Sequence, residues 1–350
     1  MAADGFWAGR RVWITGHTGF KGSWLALWLQ WLGAEVHGFS AGVTPLYEAA
    51  DVADGLAGDV RGDVRSRSEL RAAVARARPD VVFHLAAQAL VRAGFERPVE
   101  TFTINASGTA KVLEALRDHG TPRAVVVATS DKCYRNDGSG RPFAEDDPLG
   151  GDDPYSASKA AQEHVAAAYR GLGLPLATVR AGNVLGGGDT APGRLVADAM
   201  RSAESGEPLQ VRAPDAVRPW QHVLCPLEGY LAVAERLVAD PAGTEPSWNF
   251  GPDADDELPV ARLVEALRTR WPGGLPVRAA APGAAAGEAP VLRLDSSRAR
   301  HGLGWTPRWT LAQALDATVR WHVRHREGAD MRVETLRQIA AFSGDDTVSL

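Results

Sequence analysis

Tyr155 and Lys159 stand four residues apart near the start of a helical pattern, so one face carries a phenol and an ammonium. An ammonium beside a phenol favours the phenolate and lets tyrosine act as a base nearer neutral pH. Upstream, the segment Thr129-Ser130-Asp131-Lys132-Cys133-Tyr134 sets a hydroxyl, a carboxyl and an amine on consecutive residues. A third segment, Gly16-His17-Thr18-Gly19-Phe20-Lys21-Gly22, follows an apolar run at 11–15 and leads into a helical pattern. Glycines are needed where backbone must approach a pyrophosphate, and the helix N-terminus behind them favours the anion. A tight strand-to-helix turn would use glycines as well; the first-strand position and the helix that follows favour the dinucleotide.

Lysine is scarce. Of 38 basic residues only Lys21, Lys111, Lys132 and Lys159 are lysine, so arginine serves wherever a generic positive charge is enough. An ammonium loses its proton when buried or placed near other cations, and a guanidinium effectively does not. Three of the four lysines lie in the segments just named.

Apolar runs at 11–15, 35–39, 80–85, 124–129 and 176–181 alternate with helical patterns ending near 32 and spanning about 66–76, 105–117 and 154–169. That alternation predicts an α/β fold, a Rossmann-type doubly wound parallel sheet over residues 1–181. Ligands on such sheets bind beyond the carboxyl ends of the strands. Past 181 the pattern loosens into glycine and proline runs, which predicts a smaller mixed α/β lobe over 182–342, with part of 223–252 returning to the first domain. Residues 279–290, rich in Ala, Pro and Gly, read as an exposed loop, and 343–350 as a frayed tail. Trp24, Trp28 and Trp31 recur at helical spacing and read as core packing against the sheet.

A chain of 350 residues with 45% hydrophobic composition can build a large core, and its net charge of −5 supplies no field to draw in nucleic acid or an acidic membrane. Cys133 and Cys225 match no metal or disulfide spacing, which with the absence of a signal-peptide pattern points to the cytoplasm. The acidic run Glu145-Asp146-Asp147, with Asp152 and Asp153, reads as solvated loop and helix capping, and no metal is expected.

The spacing Gly-x-x-Gly-x-x-Gly resembles the extended short-chain dehydrogenase/reductase family. The resemblance implies that Gly16 to Gly22, with Tyr155 and Lys159, contact the dinucleotide. It implies an adenine contact at Asp63 and Val64, and passage of the nicotinamide ribose by Leu85, Ala86 and Ala87. The family's usual acidic residue after the second strand is missing, since the chain reads His37-Gly38-Phe39-Ser40, so NAD is implied and NADP stays open. In this family epimerases carry a small-residue pair where Ser130-Asp131-Lys132 stands. The sugar-nucleotide 4,6-dehydratase branch carries a hydroxyl residue, Asp and a second ionisable group, which is lysine in members acting on CDP-glucose.

Further motifs resemble that branch: Phe6-Trp7, His84 to Gln88, Asp153 to Lys159, Arg180 to Val184, Gly186 to Asp189, Arg218 to Val223 and Trp248 to Pro252. One segment departs, Glu288-Ala289-Pro290-Val291, where an aromatic residue is expected before Leu292. The resemblance implies an NAD-dependent lyase with Tyr155, Lys159, Ser130, Asp131 and Lys132 as catalytic residues. It oxidises a nucleotide sugar at C4, eliminates water across C5 and C6, and returns the hydride to C6. Gln88, Asn183, Arg194, Arg218 and Asn249 are the implied substrate contacts, arginine suiting diphosphate oxygens. His222 reads as a ligand or as a structural histidine.

Alternatives stay open. Asp131 could cap the following turn and Lys132 pair with the acidic run, and the reaction could be a dehydration of another nucleotide hexose or a 4-epimerisation. A dinucleotide sensor without activity would ordinarily lack the tyrosine or the lysine. Family members often pair through the helices near 105 and 154, which implies a homo-dimer or homo-tetramer.

Overall fold

The computed structural model describes residues 5–279 and 289–344. Six strands lead the chain: β1 (Arg11–Thr15), β2 (Glu35–Ser40), β3 (Gly58–Arg61), β4 (Val81–His84), β5 (Ala124–Ala128) and β6 (Leu176–Ala181). They are followed by β7 (Asn183–Leu185), β8 (Leu209–Val211), β9 (Val217–His222), β10 (Ser247–Phe250), β11 (Glu257–Pro259) and β12 (Val277–Ala279). One sheet has the order β10-β6-β5-β4-β1-β2-β3, every pairing parallel. The strand order reverses between β1 and β4, and a crevice opens beyond their carboxyl ends. Helices cover both faces, so β4, β5 and β6 are buried throughout; β5 reads as an unbroken apolar run, while β4 ends in His84 and β6 carries Thr178 and Arg180.

Local chemistry sets the helix starts. Ser66 caps Arg67–Ala77 and Asp153 caps Pro154–Gly171, each side chain accepting from the backbone N–H three residues on. The helix expected over 105–117 begins as a π-helical turn, Thr103–Gly108, and continues as Thr109–His119. Its bend presses Gly108 onto Val64, where a Cβ would lie 2.9 Å from Val64 Cγ2. The edge strand β3 was not expected, because Gly-Asp-Val-Arg contains no apolar run.

The second lobe holds two small sheets, β11-β9-β7 and β12-β8. Its core gathers Trp220, Leu263, Leu267, Trp271 and Leu315. The chain returns to the large sheet within 223–252 and again at its last helix. β10 pairs with β6, and the helix Leu224–Ala239 packs beneath β5 and β6. The last helix, Met331–Ser343, lies on Phe20–Trp31, with Phe342 edge-on to Trp28 at 5.6 Å between ring centroids. Both returns are driven by apolar surface: Trp24 and Trp28 are buried, Trp31 partly so, in a cluster that includes Tyr230, Ile339 and Phe342.

Of the loop expected over 279–290, Ala279 closes β12, and residues 280–288, including Glu288, lie outside the described residues. Of the tail expected at 343–350, Ser343 is still helical, and residues 345–350 also lie outside the described residues. Among the described residues no helix is long and apolar enough to cross a membrane.

Glu163, on the Pro154–Gly171 helix, accepts two hydrogen bonds from Arg180 on β6, both at 2.8 Å, and others from Thr129 and Thr178. Both ions of the pair are 4% exposed. Removing one charge from such a pair leaves the other unpaired in a dry interior, at a cost of about 3–5 kcal/mol. Glu163→Gln is therefore expected to lower the urea midpoint by an amount corresponding to about 3 kcal/mol, whereas Glu265→Gln, on the surface, leaves it unchanged.

Candidate active site

β5 ends at Ala128 and delivers Thr129 to Tyr134 to the crevice. Ser130 adopts extended backbone, and its hydroxyl accepts from Lys132 N at 3.3 Å at the start of the short turn Asp131–Cys133. The cap is thus Ser130, not Asp131. The Ser130 hydroxyl also donates to Asp131 Oδ1 at 2.9 Å. Asp131 is 4% exposed, and its Oδ2 is among the buried side-chain atoms without a hydrogen-bond partner. Burial pushes its pKa above the usual carboxylate range, against the pull of Lys132, Ser130, Arg218 and Lys21. Such a carboxyl holds a proton more readily than a solvated one. Lys132 is half-buried and stays clear of the acidic run, whose members are held by arginines: Glu145 and Asp146 by Arg298, Asp147 by Arg141.

Asp153 fixes the helix start that carries Tyr155 and Lys159, and both side chains are buried. Lys159 Nζ donates to Ala128 O at 3.2 Å and Gln162 Oε1 at 2.9 Å, which ties the helix to the end of β5. Burial lowers its pKa to about 7, helped by the positive charge of Lys21. Burial raises Tyr155 to about 12, opposed by a hydrogen bond with Ser130 and by the charge of Arg194, while Asp131 adds to the rise.

Lys21 reaches the same centre from the glycine loop. Its ammonium lies 3.4 Å from the Tyr230 hydroxyl and is brought to about 8 by burial and Arg194, with Asp131 and Asp189 working against the fall. Tyr230, on Leu224–Ala239, carried no signal in the sequence, where it sits among apolar residues 209 positions from Lys21. Burial pushes its pKa up, and the charges of Tyr155 and Asp131 act in the same direction.

The loop itself is tightly built. Gly16 has φ 77°, and a Cβ there would lie 2.7 Å from Ala86 N; one on Gly22 would lie 2.1 Å from Gly16 O. Gly19 is freer, its nearest obstacle being Gly16 O at 3.3 Å. The residues around it divide by what their side chains have left to offer. The His17 imidazole is buried over Gly38 and bonded to Asp59 at 2.9 Å, so only its backbone faces a ligand. Thr18 hydrogen-bonds Ser40 at 2.7 Å where the family's acid would stand. Phe20, Leu85, Ala86 and Ala87 are half-buried along the crevice and Val64 is buried, while the Asp63 carboxylate is held by Arg65 at 2.6 Å.

Of the expected substrate contacts, Arg194 is paired with Asp189 at 3.0 Å yet still acts electrostatically on Tyr155 and Lys21. Arg218 is buried on β9 and acts on Asp131, and Asn183 is half-buried at the start of β7. Gln88 is engaged by its neighbours, donating to Thr101 at 2.9 Å and accepting from Leu90 N at 2.6 Å. The expectation for Asn249 is corrected. Its side chain is fully buried, donates to Phe143 O and Asp295 O, and accepts from Tyr134. With donors and acceptor engaged, it holds the crevice wall. His222 is the structural alternative: it is buried between Trp24 and Trp309, accepts from Leu224 N, and is kept neutral by burial with a pKa of about 3.

Residues 12–251 match the family described as NAD dependent epimerase/dehydratase. A CDP-glucose 4,6-dehydratase of Salmonella typhimurium is 42% identical, over 99% of this chain and 100% of that protein. A dTDP-glucose 4,6-dehydratase of Xanthomonas campestris pv. campestris is 28% identical, over 76% of this chain and 79% of its own. Among solved structures, a Thermus thermophilus UDP-glucose 4-epimerase in complex with NAD aligns with a TM-score of 0.78 at 27% identity, over 90% of this chain and 99% of that one. A family match across most of the sequence, and a relative aligned from end to end, place one conclusion beyond the crevice chemistry: the chain belongs to the NAD dependent epimerase/dehydratase family.

Proposed function

We propose that this protein is an NAD-dependent 4,6-dehydratase that converts CDP-glucose to CDP-4-keto-6-deoxyglucose and water. The observation that carries the reading is Asp131, a buried carboxyl of raised pKa beside Lys132, in the same centre as Tyr155. An epimerisation needs no acid for a leaving group, whereas an elimination does. The CDP-glucose reading leans on the Salmonella relative.

The glycine loop fits a dinucleotide, because its turn excludes side chains at Gly16 and Gly22 and leaves backbone exposed around Gly19. Gly16 to Gly22 would hold the pyrophosphate, Asp63 and Val64 the adenine end, and Leu85 to Ala87 with Tyr155 and Lys159 the nicotinamide end. Bound there, NAD supplies a hydride acceptor for C4 and a hydride donor for C6. With the positive nicotinamide beside it to offset the burial that holds the phenol at about 12, Tyr155 would take the C4 hydroxyl proton, the Lys159 ammonium lying on the same helix face. Lys132 assists removal of the C5 proton made acidic by the 4-ketone or stabilises the enolate, and a proton returns to C5 as the hydride adds to C6. Asp131 protonates the departing 6-hydroxyl. Arg194 and Arg218 would bind the diphosphate, Asn183 the sugar phosphate, and Gln88 would act mainly by shaping the wall.

In this reading residues 1–181, with the returning β10, bind the cofactor, and the second lobe binds the sugar nucleotide. Pro98, Val99 and Phe102 line an apolar surface groove, with Val99 79% exposed. We propose that a second copy covers it, giving a homo-dimer or homo-tetramer in the cytoplasm.

Incubation with CDP-, dTDP-, UDP- and GDP-hexoses plus NAD should show loss of water by mass from the CDP-hexose; epimerisation without water loss from every substrate would overturn the assignment. The variants separate the steps: Tyr155→Phe should abolish reduction of bound NAD, while Lys132→Ala still reduces it and stalls before elimination, with kcat down about a hundredfold or more. Full turnover by Lys132→Ala would remove lysine from the mechanism. Lys21→Gln, assayed at saturating NAD, removes a positive neighbour from Lys159, so the ammonium is favoured and the alkaline limb of kcat moves to higher pH from about 7. Sedimentation of Val99→Asp should give a smaller species than the parent.

A further inference from the structure

Lys159 sits where a charge is costly. It is 3% exposed, and Lys21 from the helix Phe20–Trp31 opposes its charge. The Glu163 carboxylate on its own helix favours the charge but is already shared with Arg180, Thr129 and Thr178. The Cys133 thiol and the His84 ring also face it, from the turn after β5 and from β4. What it bonds are two carbonyl oxygens, Ala128 O at 3.2 Å and Gln162 Oε1 at 2.9 Å. An ammonium has three N–H donors and no lone pair, so acceptors around it favour the charged form.

A side-chain amide serves only if it faces the right way, because its NH2 end would repel an ammonium. The way Gln162 faces is dictated from behind. Its Nε2 donates to Thr109 Oγ1 at 3.0 Å. Thr109 places its one hydroxyl proton on the Asn105 carbonyl at 2.6 Å, an oxygen that can only accept. The two lone pairs of Thr109 therefore take the Gln162 amide and the Nε2–H of His84, the latter at 2.8 Å. Burial keeps the His84 ring neutral, with a pKa of about 3, so with Nε2 protonated its Nδ1 accepts from the Thr15 hydroxyl at 2.6 Å. Thr15 Oγ1 accepts in turn from Ala86 N at 3.3 Å. Thr15, His84, Thr109 and Gln162 are fully buried, with no water to take either role. Turned over, the Gln162 amide would set its oxygen against the lone pairs of Thr109 and its NH2 against Lys159.

We propose that Gln162 is a positioning residue whose carbonyl holds Lys159 in place as an ammonium, and that Thr109, His84 and Thr15 lock its amide in that orientation. The proposal rests on the reading in which Lys159 supports Tyr155 during C4 oxidation. The lock begins at the carboxyl ends of β1 and β4 and finishes on the helix Pro154–Gly171. The Ala86 segment and the lysine, both assigned above to the nicotinamide end, are thus tied by one set of hydrogen bonds.

The chain has only four lysines, which makes a direct test practical. In protein labelled with carbon-13 at the lysine ε position and kept at saturating NAD, the Lys159 resonance is the one lost in Lys159→Met. Its titration midpoint should fall by about one pH unit in Gln162→Leu, which removes the acceptor, and rise in Gln162→Glu, which puts a carboxylate there. Thr109→Val lets the amide turn and should lower the midpoint, whereas Thr109→Ser keeps the hydroxyl and should match the parent. The alkaline limb of NAD reduction with CDP-glucose should move with the midpoint in each variant, while KM for the sugar nucleotide stays within about twofold. A midpoint unmoved in both Gln162 variants would overturn the proposal, whatever their thermal stability, and Thr109→Val at the parental midpoint would overturn the lock. The resonance needs no substrate, so a parent that reduces no NAD with any nucleotide hexose would separately overturn the proposed function, and with it the use made of Lys159.

Discussion

The carboxylate of Glu163 holds together the parts from which the site is assembled. It receives Arg180 from β6, Thr129 from the end of β5 and Thr178 from within β6, and it rides on the helix that carries Tyr155 and Lys159. Arg180 extends the network to the Tyr134 hydroxyl at 2.7 Å and the Glu145 carbonyl at 2.9 Å. One buried ion pair therefore fixes the spacing between the end of β5 and the start of a helix one strand away. A buried pair contributes little net stability over well-packed apolar residues of similar volume, but it restricts the arrangements that satisfy both charges. That restriction is what a proton-transfer site requires.

Dryness then acts on the neighbours of this network in opposite directions. The interior disfavours every charged form, which holds protons on Asp131 and Tyr155 and loosens them from Lys21 and Lys159. Acids become better proton holders and ammoniums readier proton donors, so groups that would be far apart in pKa in water are drawn toward one another. Lys132, only half-buried, lies at the edge of this regime. The scarcity of lysine in an arginine-rich chain fits the same logic, since a guanidinium would stay charged wherever it was placed.

Much of this was legible in the sequence because it is local. Strands buried on both faces write themselves as runs such as Ala124 to Ala128, and Tyr155, Lys159, Ser130, Asp131 and Lys132 lie within two short segments. What was not legible depends on partners distant in the chain. β3 and the three-residue strands of the second lobe have too few apolar residues to announce themselves, being held by pairing with neighbours. Tyr230 meets Lys21 only because a helix folds back beneath the sheet. Asn249 reads the same in sequence whether its amide faces a ligand or the wall, and only the positions of Tyr134, Phe143 and Asp295 decide.

The returns of the chain to the large sheet bear on how such a protein can be altered. β10 arrives from beyond the second lobe to cover the edge of β6, and the helix Met331–Ser343 straps Phe20–Trp31 from the far end of the sequence. The second lobe is accordingly threaded through the first as an insertion, with no single cut that frees either one. A fragment ending at residue 181 would expose the buried edge of β6 and strip one face of the Trp24 helix. Grafting a new sugar-recognition lobe onto this sheet would require joining it at several seams.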